Sequence, residues 1–292
     1  MKQRKNLGRA VVLGLAAAVL SLSAVHTAFA AKVHYGDCKV TGKWASYPFK
    51  PAVPGQLTVE VNLPAPGWWN GNSPDTIKSG YEYCMAANIA YRAGLPKLVV
   101  KNVGWDGLVA GQTKHFDLAL SEISITPARA KVVEFSVPYF ESTMGVLARK
   151  GEHITPGNIR QQSIAVQGGT TGASFVANKL KPVKPVRVYS SEAAQFTALA
   201  ARQVDVAVND TSIVLAQQGK SHGRLVVVGQ YDTGESYGAL FPKHSPNVKT
   251  VDKMIEEMRS DGTLKMLADK YLAAAWGESP NDIPTWTLQE SK

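Results

Sequence analysis

Strand-like and helix-like segments alternate along this chain in two separate series, and that alternation constrains the fold more than any single motif. In the first series, residues 57–61 alternate apolar and polar side chains as a half-buried strand does. Residues 81–93 carry helical patterning, 98–103 read as a strand and 116–120 as a short one. The second series places strands at 163–166, 186–189, 204–208 and 225–228, with helices at 171–180 and 192–202. Ser191 stands where the second of these helices needs an N-cap. Helices at 247–260 and 262–275 follow, the latter with Leu264, Leu267, Tyr271 and Leu272 on one face. The expectation is an α/β chain with mostly parallel sheets in two lobes, joined by crossovers at 142–149 and 237–242. A cleft between such lobes, at the carboxyl ends of the strands, is a preferred ligand site.

Composition fits a globular protein: of 292 residues, 45% are apolar and 19% charged, which excludes a disordered chain. The formal charge of +9 is inflated by Lys2, Arg4, Lys5 and Arg9 at the very start. Elsewhere Lys and Arg are scattered, and the longest basic patch, 179–187, is broken by Pro182 and Pro185. A solvated surface is expected, not a nucleic-acid face.

The basic start, the apolar run 10–20 and the Ala28-Phe29-Ala30 site form the pattern of a secretory signal peptide over residues 1–30. Eleven apolar residues are too few to span a bilayer. An exported chain gives meaning to its two cysteines, Cys38 and Cys84: they can form a disulfide that ties an N-terminal extension (31–56) to the body, or stay as two buried thiols. Neither has CxxC spacing, and His34, His115, His153, His222 and His244 lie far apart, so no metal site and no cofactor are expected. The GxSxG, HExxH and GxxxxGK[ST] signatures are absent; Gly219-Lys220-Ser221 lacks the upstream glycine. The turn Gln167-Gly168-Gly169-Thr170-Thr171 follows a strand and opens a helix, a place where backbone N–H groups can meet an anion.

Six segments in fixed order say more than any of these. They are Gly80–Ile89, Gly104–Leu108, Phe116–Lys131 with its Ser-Glu-Ile-Ser-Ile-Thr-Pro-Ala-Arg run, Phe135–Phe140, the Gln167–Thr171 turn, and Gln203–Asp210. Together they make residues 57–275 resemble the family 3 extracellular solute-binding proteins, the amino-acid receptors of bacterial ABC transporters. The resemblance implies a type II, two-lobed periplasmic binding fold, with lobe 1 at 57–143 and 239–292 and lobe 2 at 144–238. It implies a monomeric periplasmic receptor that needs no cofactor, binds an amino-acid-like ligand and delivers it to a membrane permease. By that likeness Arg129 would grip the ligand carboxylate, with the backbone around Ser124 and the Thr170 hydroxyl completing the anion site. Asp210, with Ser121, would take the ammonium, while Trp105 and Trp68 would pack on the side chain. Asp210 could instead cap the helix that follows it, and Thr170 could serve only its own turn.

Cys84 replaces the second acidic residue of the family signature, although Glu82 keeps the first. Glu122 stands where a small or hydroxylated residue is common: it either faces the cleft, ready for a cationic group, or points outward. Cyclohexadienyl (prephenate or arogenate) dehydratases share the fold and need a general-acid carboxylate, so Glu122 keeps an enzyme as the alternative. A ligand-sensing partner of a membrane receptor is a further one.

Overall fold

The computed structural model describes residues 33–288, and the secretory-signal reading of residues 1–30 lies outside them. From Tyr35 onward the chain first lays an irregular segment over the body, then builds two five-stranded sheets. The first half runs β1 (Gln56–Val61), α1 (Tyr81–Arg92), β2 (Lys97–Asn102), α2 (Trp105–Val109), β3 (Leu118–Ala119) and β4 (Glu134–Phe135). Next come β5 (Phe140–Arg149), β6 (Ile164–Gln167), α3 (Thr171–Phe175), β7 (Arg187–Tyr189), α4 (Glu192–Ala200), β8 (Val206–Asp210), α5 (Thr211–Lys220) and β9 (Leu225–Tyr237). The last elements are β10 (Leu240–Phe241), α6 (Val248–Ser260), α7 (Thr263–Leu267) and α8 (Ala273–Trp276).

Strand order is β2-β1-β3-β10-β4 in the first sheet and β7-β6-β8-β5-β9 in the second. Three neighbours in each are parallel: β1 pairs with β2 from Gln56↔Lys97 to Val61↔Asn102 and with β3 at Val59↔Leu118, while β6 lies parallel to β7 and β8. Both sheets are mixed, not mostly parallel. β10 runs antiparallel to β3 and β4, and β5 runs antiparallel to β8 and β9. The chain passes between sheets at 136–139 and at Gly238-Ala239, each passage continuous with a long strand of the second sheet; residues 142–149, expected as a crossover, lie wholly within that sheet. Gly238 leaves room here, because a Cβ would meet the Ile125 side chain at 2.8 Å and push it aside. These parallel strands end on one side, which sets the loops after β1, β2, β3, β6 and β8 around a common cleft.

Each sheet has its own apolar core: Leu108, Phe116, Ile123 and Leu240 on the first, Val146, Val166, Val176, Val208 and Tyr231 on the second. Helix α1 is buried on nearly every side, and its polar side chains Glu82, Asn88 and Arg92 are all hydrogen-bonded. Its outer face is covered by the N-terminal segment, which Cys38 and Cys84 join through a disulfide with Cα atoms 5.2 Å apart. Tyr35 Oη donates to the Leu95 carbonyl at 2.6 Å, and Ala45 and Tyr47 N–H groups donate to the Tyr91 and Arg92 carbonyls. Residues 283–286, grouped with the first lobe on sequence alone, lie along β9 of the second sheet. Gln230 and Trp286 exchange backbone bonds there with Pro284 and Gln230, and the Trp286 ring stands 5.8 Å from that of Tyr231. Among the described residues, no helix is long and apolar enough to cross a membrane.

Candidate functional site

Two adjoining cavities occupy the cleft: an inner one of about 20 Å³ and an outer one of about 290 Å³. Arg129, Ser121, Glu122, Ser124 and Trp105 reach the inner cavity from the first sheet's loops; Thr170 and Asp210 reach it from the second's. Trp68 lines the outer cavity, and Glu122 lines both. All eight residues singled out in the sequence thus gather at one place.

Arg129 opens a short 3-10 turn, Arg129–Lys131, and is 8% exposed. Its Nη1 donates to the Ser124 carbonyl at 2.8 Å and its Nη2 to the Gly169 carbonyl at 3.1 Å, so the guanidinium already bridges the two sheets' loops. Its Cζ lies 5.2 Å from the Trp105 ring centroid, a cation–π contact. Burial lowers its pKa, and the charges of Asp210 and Glu235 hold it up. A guanidinium has five N–H donors, so the two bonds to carbonyls leave three for an anion.

Asp210 ends β8 and stands at the N-terminus of α5 without accepting a cap bond, so its side chain does not serve the helix. Tyr237 Oη donates to Asp210 Oδ2 at 2.6 Å. With that hydrogen committed, the Ser142 and Ser212 hydroxyls, at 3.1 and 3.0 Å, donate into the phenol oxygen. Desolvation, reinforced by Glu235, pushes the Asp210 carboxyl up to about 7, against the pull of Tyr237 and Arg129. Thr170 behaves differently from the expectation. Its Oγ1 donates to the Gln167 carbonyl at 2.7 Å and accepts from Ala173 N at 3.0 Å as the cap of α3, which commits the hydroxyl hydrogen to the turn.

Ser121 Oγ accepts from Asn62 N at 3.0 Å, and Ser124 Oγ donates to Glu235 Oε2 at 2.8 Å while its carbonyl holds Arg129. Trp105 and Trp68 both carry a buried indole N–H without a partner among the described residues. Trp68 packs edge-on against Tyr81, Phe140 and Tyr237, with centroids 5.0–5.6 Å apart.

Glu122 faces inward. Its φ is +52°, a left-handed backbone that costs a non-glycine residue about 1 kcal/mol. What holds it is Glu82 on α1: Glu82 Oε1 accepts from the Glu122 N–H at 2.8 Å and from the Tyr139 hydroxyl, and Oε2 accepts from Trp69 Nε1 at 2.7 Å. Burial raises Glu82 to about 7 in spite of these three donors.

Sequence reasoning placed neither Glu82, Glu192 nor Glu235 at the site. Glu82 was legible only as a signature residue. Glu192 looked like an ordinary acid in a first helical turn, where the helix dipole welcomes one. Yet it lines both cavities, and desolvation with the Asp210 charge pushes it up to about 8.

A profile of the "Bacterial extracellular solute-binding proteins, family 3" matches residues 70–274. The chain is similar to the L-cystine-binding protein TcyJ of Escherichia coli (strain K12), 27% identical over 201 residues, which covers 67% of this chain and 75% of TcyJ. Among solved structures, an ancestral arginine-binding protein bound to glutamine is 27% identical with a TM-score of 0.67, covering 75% of this chain and 98% of that one. The ancestral amino acid-binding protein AncCDT-1, a precursor of cyclohexadienyl dehydratase, is 26% identical with a TM-score of 0.65, covering 75% and 95%. With a match over most of its length and the same two-sheet architecture, the chain belongs to the bacterial extracellular solute-binding proteins of family 3.

Proposed function

We propose that this protein captures a small amino-acid zwitterion in the cleft and delivers it to the permease of an ABC transporter, acting as a monomer in the periplasm. The observation that carries this reading is the opposition of Arg129 and Asp210 across one inner cavity, each supplied by a different sheet. Three guanidinium donors remain for a carboxylate, and Asp210 Oδ1 accepts no bond among the described residues, which suits an ammonium. A ligand held by both groups ties its binding to closure of the cleft. In this reading Ser121, Ser124 and the Thr170–Thr171 turn shape the inner cavity, the Trp105 ring walls it, and Trp68 walls the outer one.

A thermal-shift screen against the amino acids tests it. A true ligand at 100 times its Kd stabilises by about 2.7 kcal/mol, and no shift with any zwitterion would sink the reading. One observation favours the dehydratase as a second reading: Glu122 lines both cavities with nothing bonded to its carboxyl among the described residues, and burial with neighbouring carboxylates raises it above the ordinary range, the direction a general acid needs. Turnover of prephenate or arogenate, lost in Glu122→Gln, would establish that reading in place of the first.

A further inference from the structure

Three carboxylates, Glu122, Glu192 and Asp210, line the two cavities against two cations, Arg129 and Lys220. With a ligand's carboxylate on Arg129 and its ammonium on Asp210, two carboxylates remain beside Lys220. Lys220, at the far end of α5, feels the charge of Glu192. Glu122 is then left without a counter-charge. It is 7% exposed, it lines both cavities, and among the described residues no hydrogen bond or ion pair reaches its carboxylate. Only its backbone N–H is tied down, by Glu82. A buried, unpaired carboxylate is costly as an ion, and burial together with Glu82, Glu192 and Asp210 pushes its carboxyl well above the usual range. The negative surplus is local, since the chain as a whole carries +9.

Beyond Glu122 the outer cavity is walled by Trp68, Phe196, Ala200 and Ala216, apolar surfaces suited to a methylene stem. Building on the zwitterion reading, we propose that the cleft selects ligands bearing a second cationic group on the side chain, an amine or guanidinium that sits between Glu122 and Glu192 in the outer cavity. Glu122 is then a specificity-determining residue, and Glu82 is the positioning residue that holds its backbone in the left-handed conformation.

Calorimetry of the purified protein with arginine against citrulline, and lysine against norleucine, tests this. Each pair keeps the zwitterion while removing the distal charge: citrulline retains arginine's shape, and norleucine retains lysine's apolar stem without its ammonium. Arginine and lysine should bind at least about tenfold tighter than their neutral counterparts. Glu122→Gln and Glu192→Gln should each cut that ratio to about threefold or less, with citrulline unharmed or improved. Melting curves verify that each variant is folded; should Glu122→Gln fail to fold, Glu192→Gln decides. Equal binding of arginine and citrulline to the wild type would overturn the charge selection and leave the zwitterion reading standing. A ratio that survives in the folded variants would overturn the placement of the cation. If none of the four binds, while another amino acid does, the selectivity is wrong; if no zwitterion binds at all, the reading beneath it is wrong too.

Discussion

Two buried arginines divide this molecule into a region built for stability and a region left open for binding. Arg92, at the end of α1, has a side chain with no exposed surface, and its donors are met from all sides: Asp261 at 2.9 Å, Glu257 at 3.4 Å, Asn88 at 3.0 Å and Thr41 at 3.0 Å. Arg129 is nearly as buried but touches two carbonyls, an aromatic face and, among the described residues, no carboxylate. A buried cation with its counter-charges supplied by the chain is structural. One whose counter-charge is withheld, beside a cavity, invites an anion from outside. The N-terminal segment and its disulfide belong to the first kind of region: Cys38 is bonded to Cys84 on α1, and Thr41 of the same segment bonds both Asn88 and Arg92 of that helix.

Four measurements test how far the two regions differ. Replacing both cysteines (Cys38→Ser with Cys84→Ser) should cost about 4 kcal/mol, the chain-entropy value for a loop of this length. Urea unfolding reads this directly, and an unchanged midpoint would show that the N-terminal segment adds nothing to stability. Arg92→Ala should cost about 3 kcal/mol, the low end for a broken buried pair because Glu257 and Asp261 are themselves one-third exposed. Ligand affinity should hardly change; a large loss would erase the distinction drawn between the two arginines. Arg129→Ala should do the reverse, with affinity falling roughly 100-fold and unfolding free energy changing by about 1 kcal/mol or less. Retained affinity in calorimetry would remove Arg129 from the site.

The smallest effect concerns pH. Asp210, Glu82 and Glu192 have carboxyls raised in the folded state, to about 7, 7 and 8, above unfolded values of 3.8, 4.5 and 4.5. Between these limits the folded protein holds more protons than the unfolded chain, so stability is greatest in mild acid and declines as pH rises toward 8. Each such carboxyl, protonated in the folded state and ionised in the unfolded chain, contributes up to about 1.4 kcal/mol per pH unit near pH 6 in the ligand-free protein. Asp210→Asn should flatten the slope, and stability that instead rises with pH across this range would contradict the buried carboxylate cluster.

What the sequence revealed of all this followed the range of the interactions involved. Ser191 caps α4 by accepting from Ala194 N, three residues away, and such local chemistry is written in the residue order. The parallel strands and the helices between them were legible from periodicity. Residues 229–237 were not, because Gly, Asp, Thr and Ser give them the composition of a loop; they form the second half of β9 by pairing with β5, from Phe140↔Tyr237 to Gly145↔Gln230. At the site, Arg129 and Asp210 came from a family likeness, and their chemistry could be reasoned out. Glu82 acts across 40 residues on Glu122, and no pattern in the chain announces a bond of that span. A hydroxyl in a glycine-rich turn suits an anion and a cap equally well, and residue order could not choose between them; Thr170 caps α3 while it lines the inner cavity.

Glu122 has an evolutionary consequence. Its backbone sits where glycine is most at ease, while its side chain supplies the charge that no neighbour neutralises. Glutamate and glycine codons differ by a single base. One mutation there would relieve conformational strain and delete the selective charge together, so the two changes need not be discovered separately. On the role proposed for Glu122, ligand preference would be lost whole by such a change and not by halves.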